Sequence, residues 1–386
     1  MIEVRVNRKA QGRVASGHPW IYSSDVVERG EAQPGDVVKV MDPGGRALGV
    51  AHYSASSQIT LRMLSERVEP VDGDFIRERI EAAEMFRRLA LPGADCFRLV
   101  FGEADFLPGL VIDRYANCFA MQTLNQGMDR ISGLITGILD ELYQPAVIVA
   151  RNTASARSRE QLPLETKVLK GEPEPLVWIT MNGLRLAVDL IGGQKTGIFL
   201  DQRENYAAAA RWAHGRALDC FTCTGGFALH MAGRCQRVEA VDTSAPALAI
   251  AEENRKANGV VNVEFREANA FDLLAGHAAA GRHFDTIVLD PPAFAKSRAN
   301  IAAALRGYKE INLRALKLLS PGGVLVTCSC SHHVSEAALL ELLAEASLDA
   351  GRRVRVLERR TQAPDHPILL TVPETCYLKC LIVQVI

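Results

Sequence analysis

The sequence predicts an α/β protein whose last part, residues 191–386, is a doubly wound Rossmann-like sheet. Two observations predict this fold class. After residue 191, strand and helix patterns alternate, which is typical of buried parallel strands joined by helical crossovers. Before it, turn-punctuated short strands precede helical patterns, which predicts a β-barrel over residues 1–70 and an α+β domain over 71–190. A chain of 386 residues also exceeds one ordinary core, so several domains are expected.

The N-terminal part combines strand patterns with a basic leading segment. The stretch "QPGDVVKVMDPGGRALGVAHYS" has Pro-Gly and Gly-Gly breakers within a Val-rich alternation, which predicts barrel strands. The segment before it sets four cations against Glu3 alone: Arg5, Arg8, Lys9 and Arg13. Charge alone leaves two interpretations open, an arm that contacts phosphates and a charged strand edge that resists aggregation.

The central part begins with a helical period after Asp72. Apolar residues recur along one side of "GDFIRERIEAAEMFRRLAL", at Phe75, Ile76, Ile80, Ala83 and Phe86. A second helix is predicted over "MDRISGLITGILDELY". The part ends in "VWITMNGLRLAVDL", where Asn182-Gly183 between two alternating runs predicts a type I′ hairpin.

The C-terminal part supplies the parallel sheet. Its predicted strands are "RALDCFT", "RVEAVDT", "VEFREAN", "FDTIVLD", "GVLVTCS", "VRVLER" and "YLKCLIVQVI". Its predicted helices are "GGFALHMAGR", "SAPALAIAEENRKANG", "NIAAALRGYKEINLRALKLL" and "SEAALLELLAEASLDAG", and "SPGG" is predicted to be a turn.

Composition limits the possible partners and compartment. A net charge of −1 and a pI near 6.8 do not indicate a nucleic-acid binder, so any RNA surface must gather its basic groups on one face. No apolar run reaches the roughly 20 residues of a bilayer span, and the N-terminus lacks signal-peptide features. We therefore expect a cytoplasmic protein without a membrane partner. Nine cysteines, an odd count, are expected to be mostly free thiols.

The strand ends of the predicted sheet carry groups suited to a nucleoside-like ligand, because ligands of such sheets bind beyond the carboxyl ends of the strands. Gly225 and Gly226 in "LDCFTCTGGF" allow a close backbone approach before a helix N-terminus. The turn is not GxGxxG, which disfavours a dinucleotide. Asp242 ends the second strand, where an acid either holds ribose hydroxyls or caps the next helix.

The third and fourth strand ends complete this set. Asn269 in "REANAFD" is placed to accept a hydrogen bond from an adenine amino group. In "LDPPAF" two prolines cannot continue a strand, so they fix a rigid loop and restrain the carboxylate of Asp290 toward the site.

These strand ends, in this order, resemble the class I S-adenosylmethionine-dependent methyltransferases. "GHPWIY" and the barrel stretch resemble a PUA domain, an RNA-binding barrel. The chain is similar to the ribosomal RNA large subunit methyltransferase I family in "RLVFGEADFLPGLVIDRYAN", "GGQKTGIFLDQREN", "DPPAF", "SCS" and "APDHP…PETCYLK". That resemblance implies methylation of carbon 5 of a cytosine in 23S rRNA, S-adenosyl-L-methionine as cofactor, and a homodimer.

The resemblance also implies which residues form the cofactor site: Asp219, Phe221, Gly225, Gly226, Asp242, Asn269, Ala270 and Asp290, together with Lys195 and Arg203. The last two cations precede the first strand and are suited to pair with the methionine carboxylate or an RNA phosphate. Cys220 and Cys223 stand where the family usually has other residues, and Asn269 stands where it often has Asp.

The stretch "TCSCSHHV" allows three interpretations. A zinc site needs about four ligands, and Cys220, Cys223, Cys328 and Cys330 supply that number. The first pair, however, belongs to the glycine turn that faces the cofactor, so we expect no metal. A redox role for "CFTC" is disfavoured because a Gly pair begins the next helix. The sequence leaves four roles open, those of Cys220, Cys223, His332 and His333.

A single nucleophile is the third interpretation. Carbon 5 of cytosine is too weak a nucleophile to attack a sulfonium methyl, and a thiolate that adds to carbon 6 activates it. The strand "GVLVTCS" should end near Ser329 and place Cys330 on the loop that follows, where the family has its "SCS". Cys328 is then an apolar filler. Asp290 is suited to hydrogen-bond N3 and the exocyclic amine of the base, which we expect to be flipped into this pocket.

Two alternatives remain. "DPPAF" also resembles the (D/N)PP(Y/F) loop of amino-group methyltransferases, which need no cysteine because the exocyclic nitrogen attacks directly. The other alternative is a non-catalytic RNA-binding assembly factor that retains a cofactor fold. The intact glycine turn with Asp242, Asp290 and Cys330 argues against such decay.

Overall fold

The computed structural model describes residues 1–294 and 300–386. Within these ranges no helix is both long and apolar enough to cross a bilayer. Contacts divide the chain into two units, which we describe separately. The first unit comprises Met1–Ile179, Val188–Leu200 and Pro364–Thr375, and the second comprises Thr180–Ala187, Asp201–Ala363 and Cys376–Ile386. The division of the sequence into three domains stays a prediction.

The strands and helices are numbered in chain order. The strands are β1 (Glu3–Val6), β2 (Trp20–Tyr22), β3 (Val26–Glu28), β4 (Val37–Met41), β5 (Ala47–Tyr53), β6 (Ile59–Ser65), β7 (Cys96–Phe101), β8 (Leu110–Tyr115), β9 (Cys118–Thr123), β10 (Val147–Asn152), β11 (Glu165–Lys170), β12 (Val177–Met181), β13 (Leu184–Val188), β14 (Gly215–Cys220), β15 (Cys235–Asp242), β16 (Val263–Glu267), β17 (Phe284–Leu289), β18 (Leu319–Ser329), β19 (Val354–Arg360) and β20 (Lys379–Val385). The α-helices are α1 (Arg8–Ala15), α2 (Gly73–Ala90), α3 (Gln126–Arg130), α4 (Ser132–Tyr143), α5 (Ala156–Arg159), α6 (Arg203–Trp212), α7 (Gly226–Met231), α8 (Ala245–Ala257), α9 (Ala270–Ala279), α10 (Ile301–Leu318) and α11 (Glu336–Asp349).

The N-terminal sheet of the first unit has six strands in the order β2-β6-β5-β4-β1-β3. Strands β1 and β4 are parallel and the other neighbours are antiparallel. Alternating residues such as Val4 and Val38 form its core. The basic leading segment is not one extended arm. It leaves β1 and turns into α1, which Asn7 caps by accepting from the Ala10 N–H.

The second sheet of this unit has five strands in the order β11-β10-β9-β8-β7. Helix α2 packs against β7 and α4. It begins where predicted, since the Asp72 side chain accepts from the Phe75 N–H. The predicted apolar side is wrong at one position, because Phe86 is 41% exposed whereas Arg87 is fully buried. The buried guanidinium forms an ion pair with Asp105, which satisfies the charge that burial would otherwise leave unpaired.

The predicted hairpin is confirmed between β12 and β13. Asn182 and Gly183 have φ values of 51° and 82°, and a type I′ turn needs positive φ at both central positions.

The second unit contains a seven-stranded sheet in the order β16-β15-β14-β17-β18-β20-β19. The first five strands run parallel, and β20 is antiparallel to both of its neighbours. The strand order reverses at β14, so the turn after β14 lies at the point where such sheets bind ligands. This sheet confirms the predicted doubly wound fold. The predicted "SPGG" turn is wrong, because these residues continue β18, with Gly322 at φ +82°.

Candidate functional site

The turn between β14 and α7 has an unusual backbone. Phe221 and Cys223 have φ values of 66° and 51°, a left-handed conformation that side chains rarely adopt. Each costs on the order of 1 kcal/mol and persists only where neighbouring groups hold it. Here the Cys223 N–H donates to Oδ2 of Asp242 at 2.8 Å. The N–H of Thr222 donates to the Val241 carbonyl at 2.9 Å. Strand β15 therefore fixes the turn at the carboxyl edge of the sheet.

Aromatic side chains lie so close to the two glycines of this turn that a larger residue would clash with them. A Cβ on Gly225 would lie 2.9 Å from the ring of Phe265, and Gly225 also has a φ of +86°. A Cβ on Gly226 would lie 2.5 Å from Cζ of Tyr206. The sequence suggested that both glycines admit a ligand, and the structure gives each of them a packing reason.

Asp219 is a fully buried carboxyl group beneath this turn. Its Oδ2 accepts from the Thr222 hydroxyl at 2.6 Å and from the Ala228 N–H at 3.0 Å. Its Oδ1 is buried and has no hydrogen-bond donor among the described residues. Burial, and to a smaller extent the charges of Asp290 and Asp242, raise the pKa of Asp219 to about 7. A carboxylate in this position is suited to a cationic donor supplied by a ligand.

Asp242 is the last residue of β15. The sequence left open that it caps the following helix, but in the structure another residue caps α8. Ser244 is the N-cap of α8 and accepts from the Ala247 N–H. The Asp242 carboxylate is half-buried, and it accepts from the Ser244 N–H at 2.9 Å in addition to the Cys223 N–H. Asp242 thus braces the two loops that flank the strand end.

Asn269 is the N-cap of α9. Its side-chain oxygen accepts from the N–H groups of Phe271 and Asp272, at 2.9 and 3.4 Å. Two donors occupy the two lone pairs of an amide oxygen, which leaves the amide NH2 as the group to meet a ligand. Asn269 is exposed, and Ala270 after it is buried as the first residue of α9. The adenine contact stays a prediction.

Asp290 follows β17 and is held by a chain of side chains. Gln202 donates from Nε2 to Oδ2 of Asp290 at 3.0 Å, and Gln202 is itself buried. Asn205 donates to Oε1 of Gln202 at 2.7 Å, and Arg360 donates to Oδ1 of Asn205 at 3.0 Å. The orientation of the Gln202 amide therefore follows from its neighbours. Gln202 was not predicted from the sequence, although it lies in the "GGQKTGIFLDQREN" stretch.

Cys330 lies on the loop after β18, which ends at Ser329 as predicted. Strands β17 and β18 are adjacent and parallel, so Asp290 and Cys330 follow neighbouring strand ends. Cys330 is half-buried between two serines that share one partner. The Ser329 hydroxyl donates to the Tyr308 hydroxyl at 3.0 Å, and the Tyr308 and Ser331 hydroxyls are 3.1 Å apart. Helix α10 thus holds the loop on both sides of the thiol.

Three other cysteines lie near these strand ends, and their thiols stay protonated at neutral pH. Burial raises the pKa of the Cys220 and Cys328 thiols, and it raises that of Cys223 to about 12. Cys328 lies opposite Cys380 on the neighbouring strand β20, and both are free thiols. Thiolates are the reactive and metal-binding form, so these thiols are poor nucleophiles at neutral pH. In residues 1–294 and 300–386, no group of three or more His, Cys, Asp or Glu side chains is arranged to hold a metal ion.

The two predicted cations before the first sheet strand lie in different units. Lys195 belongs to the first unit, where it is exposed, has a φ of 52°, and places its ammonium 4.5 Å from the Phe199 ring centroid. Arg203 belongs to the second unit, where it begins α6 and is buried. Their roles toward a cofactor or RNA stay predictions.

The four cations of the leading segment are not equivalent. Arg13 forms an ion pair with Asp25, in which its guanidinium nitrogen lies 2.6 Å from Oδ2 of Asp25. Arg5 lies 3.4 Å from a carboxylate oxygen of Glu28. The remaining pair, Arg8 and Lys9, is exposed on the first turn of α1. These two are the better placed to meet a phosphate.

Comparison with known proteins identifies the family. A PUA-like domain family matches residues 4–66, and the S-adenosylmethionine-dependent methyltransferase family matches residues 152–383. The chain is 40% identical over 382 residues to Ribosomal RNA large subunit methyltransferase I of Klebsiella pneumoniae, covering 96% of each chain. It is 41% identical to the protein of that name in Erwinia tasmaniensis, again over 382 residues and 96% of each chain.

The chain belongs to the ribosomal RNA large subunit methyltransferase I family. It is therefore an S-adenosylmethionine-dependent methyltransferase with an N-terminal PUA-like domain. Solved structures agree on the fold. A chain from Streptococcus mutans assigned to these methyltransferases has a TM-score of 0.85 at 19% identity, and a methyltransferase complexed with SAH has a TM-score of 0.87 at 19% identity; each comparison covers 100% of both chains.

The residues present fit S-adenosylmethionine, whose amino acid part carries an ammonium and whose ribose carries two hydroxyls. The buried Oδ1 of Asp219, which has no donor among the described residues, suits the ammonium. The half-buried carboxylate of Asp242 ends the neighbouring strand, where ribose hydroxyls are held in such sheets. The family's cofactor thus has matching acceptors at the reversal of strand order.

Proposed function

We propose that this chain methylates carbon 5 of a cytosine in 23S rRNA, with Cys330 as nucleophile and Asp290 as its partner. The observation that carries the proposal is the position of Cys330. It is half-buried on the loop after β18, beside the strand that ends in Asp290. The relatives named above act, by their name, on large-subunit ribosomal RNA.

The reaction begins at carbon 6 of the base. The Cys330 thiolate forms an S–C6 bond, and the electrons of the C5–C6 double bond move onto carbon 5 and N3. When bound, S-adenosylmethionine supplies an electrophilic methyl group, which carbon 5 takes while the sulfonium sulfur keeps the bonding electrons. A general base then removes the carbon 5 proton, the C5–C6 double bond forms again, and the S–C6 bond breaks to return the thiolate.

Asp290 stabilises the charge that this addition creates. In its acid form the carboxyl group donates its O–H to N3 and accepts from the exocyclic amine of cytosine, so it provides the proton that stabilises N3 as electrons move onto that atom. The Gln202 amide holds one oxygen of this group at 3.0 Å, so the carboxyl does not need to reorganise during the reaction.

The substrate enters as an unpaired or flipped base, because carbon 5 and carbon 6 are inaccessible in a stacked helix. The PUA-like domain supports RNA as the substrate, and the exposed pair Arg8 and Lys9 is suited to phosphates. A homodimer is the family-based expectation for the assembly.

Removal of the thiol separates this proposal from its two rivals. Cys330→Ala should abolish methyl transfer to 23S rRNA while S-adenosylmethionine binding, measured by calorimetry, persists. Cys376→Ala, which removes an exposed thiol, is the matched control and should stay active. RNA that carries 5-fluorocytosine should form a lasting covalent adduct with the wild-type chain, because fluorine replaces the carbon 5 proton whose removal releases Cys330. Cys330→Ala should form no adduct.

Each rival predicts a different result. An amino-group methyltransferase would keep most of its activity in Cys330→Ala and would form no adduct. A non-catalytic assembly factor would show no measurable cofactor binding in the wild-type chain. Bisulfite sequencing of rRNA from cells with and without the protein then identifies the modified cytosine.

A further inference from the structure

Lys379 is a buried lysine directly behind the proposed nucleophile loop. It begins β20 and is the antiparallel partner of Ser329 in β18, one residue before Cys330. Only 6% of its surface is exposed. Its ammonium donates to the carbonyl of Ser331 and to the carbonyl of Tyr377, both at 2.7 Å. The ammonium is therefore fixed against the residue that follows Cys330.

The ammonium of this lysine is held by backbone carbonyls. Among the described residues, no carboxylate oxygen lies within 4.0 Å of its ammonium. Burial lowers the pKa of Lys379, and the groups that oppose this shift are the thiols of Cys330 and Cys376. A buried cation without an acidic partner is costly to stability, which is typical of a functional group and not of a structural one.

Other titratable groups also lie around the loop. Burial raises the pKa of the Tyr308 hydroxyl, which keeps it neutral. The hydroxyl of Tyr377 donates to Asp201, and the ring of His332 lies 5.6 Å from the Tyr377 ring. Cys376 is exposed. Lys379 is thus a buried cation that the fold brings to the back of this loop.

We propose that Lys379 is a positioning residue for the nucleophile: its ammonium holds the Ser331 carbonyl and supplies the positive charge that favours the thiolate of Cys330. This inference rests on the proposed function of Cys330. A nearby cation stabilises a thiolate relative to its thiol, and the effect is strong where protein excludes water. The same ammonium also fixes the direction in which the loop leaves β18.

A purely structural role would be the alternative, in which the lysine only joins the loop to β20 through hydrogen bonds. Two substitutions separate charge from hydrogen bonding. Lys379→Gln keeps an N–H donor for the Ser331 carbonyl and removes the charge. Lys379→Arg keeps both the charge and the donors. A thermal melt of each full-length variant checks that it is folded.

The test measures the reactivity of Cys330 without any RNA. Iodoacetamide is added to the full chain over a range of pH, and peptide mass spectrometry follows the alkylation of Cys330 separately from that of Cys376. We expect Lys379→Gln to lower the Cys330 alkylation rate at pH 7 about tenfold and to move its pH profile up by about one unit. Lys379→Arg should stay close to wild type.

Methyl transfer provides the second readout. Lys379→Gln should lower kcat about tenfold or more, with the affinity for S-adenosylmethionine changed less than about twofold. An unchanged alkylation profile in folded Lys379→Gln would overturn the inference. If the profile shifts but Cys330→Ala retains methyl transfer, the charge effect stands and the proposed nucleophile fails, so the two failures are distinguishable.

Discussion

Gln202 donates a 3.0 Å hydrogen bond to the carboxylate of Asp290, and both groups lie within the second unit. This bond joins the residue before α6 to the residue after β17. The carboxyl group at the second position was predicted from the sequence to act in catalysis. Gln202 receives its own orientation from Asn205, which in turn is held by Arg360. The position of the proposed catalytic carboxyl group thus depends on residues in two other segments of the chain, the start of α6 and the end of β19.

The first prediction concerns this bond. Gln202→Ala should lower kcat for methyl transfer about 10- to 100-fold, since a mispositioned carboxyl loses its contact in the transition state. The affinity for S-adenosylmethionine should change little. Gln236→Ala, at an exposed position in β15, is the matched control and should behave as wild type. Equal kcat values for the two variants would contradict the role given to Gln202.

The second prediction concerns the hydroxyl that joins Ser329 and Ser331. Tyr308→Phe should lower kcat about tenfold because the loop of Cys330 loses its anchor on α10, and it should lower the free energy of unfolding by about 1 kcal/mol. Single-turnover methyl transfer and urea denaturation measure the two effects. Tyr143→Phe removes a hydroxyl bonded to Glu84 in the first unit, so it should lose stability without the loss of kcat.

The third prediction concerns the buried acid of the cofactor site. Asp219→Asn should weaken S-adenosylmethionine binding at least about tenfold, because a buried carboxylate is replaced by a neutral amide. In the wild-type chain the affinity should rise as pH increases through about 7, where Asp219 becomes ionised. Isothermal titration calorimetry at pH 6 and pH 8 tests this, and a wild-type affinity that is the same at both pH values would contradict it.

The same acid should affect stability with the opposite sign. Its pKa in the folded chain is about 7, above the ordinary aspartate value of 3.8, so between these values the folded state binds more protons than the unfolded state. The contribution of Asp219 to stability without cofactor therefore declines as pH rises from about 4 to about 7. Asp219→Asn should reduce this decline in cofactor-free melts, and a saturating cofactor should reverse it in the wild-type chain.

The fourth prediction concerns the glycine turn. Gly226→Ala should lower the free energy of unfolding by about 1–3 kcal/mol, because the new methyl group would lie 2.5 Å from Tyr206. Gly276→Ala in α9 is the matched control, since nothing lies within 4 Å of its Cβ position. That variant should gain up to about 1 kcal/mol from helix propensity. Chemical denaturation of both variants checks the difference in sign.

The sequence was sufficient to predict the fold class and many of the residues at the carboxyl edge of the seven-stranded sheet, where the candidate site lies. Buried parallel strands can be predicted because they are continuous apolar runs in the sequence. Asp290 was predicted because the two prolines after it mark the end of β17. The helical period alone did not predict the burial of Arg87, which depends on an ion pair with Asp105, 18 residues away in the chain. Gln202, Tyr308 and Lys379 were missed for the same reason: each contacts a distant segment, and nothing in the local pattern reports that partner.

Three carboxylates, Asp219, Asp242 and Asp290, end the adjacent strands β14, β15 and β17 and act on one another electrostatically. Carboxylates of like charge disfavour one another's ionisation, and a positively charged group bound at this edge would relieve that repulsion. We therefore expect a ligand that carries a positive charge to bind this edge more tightly than a neutral ligand of the same shape, and the difference to shrink as the salt concentration rises.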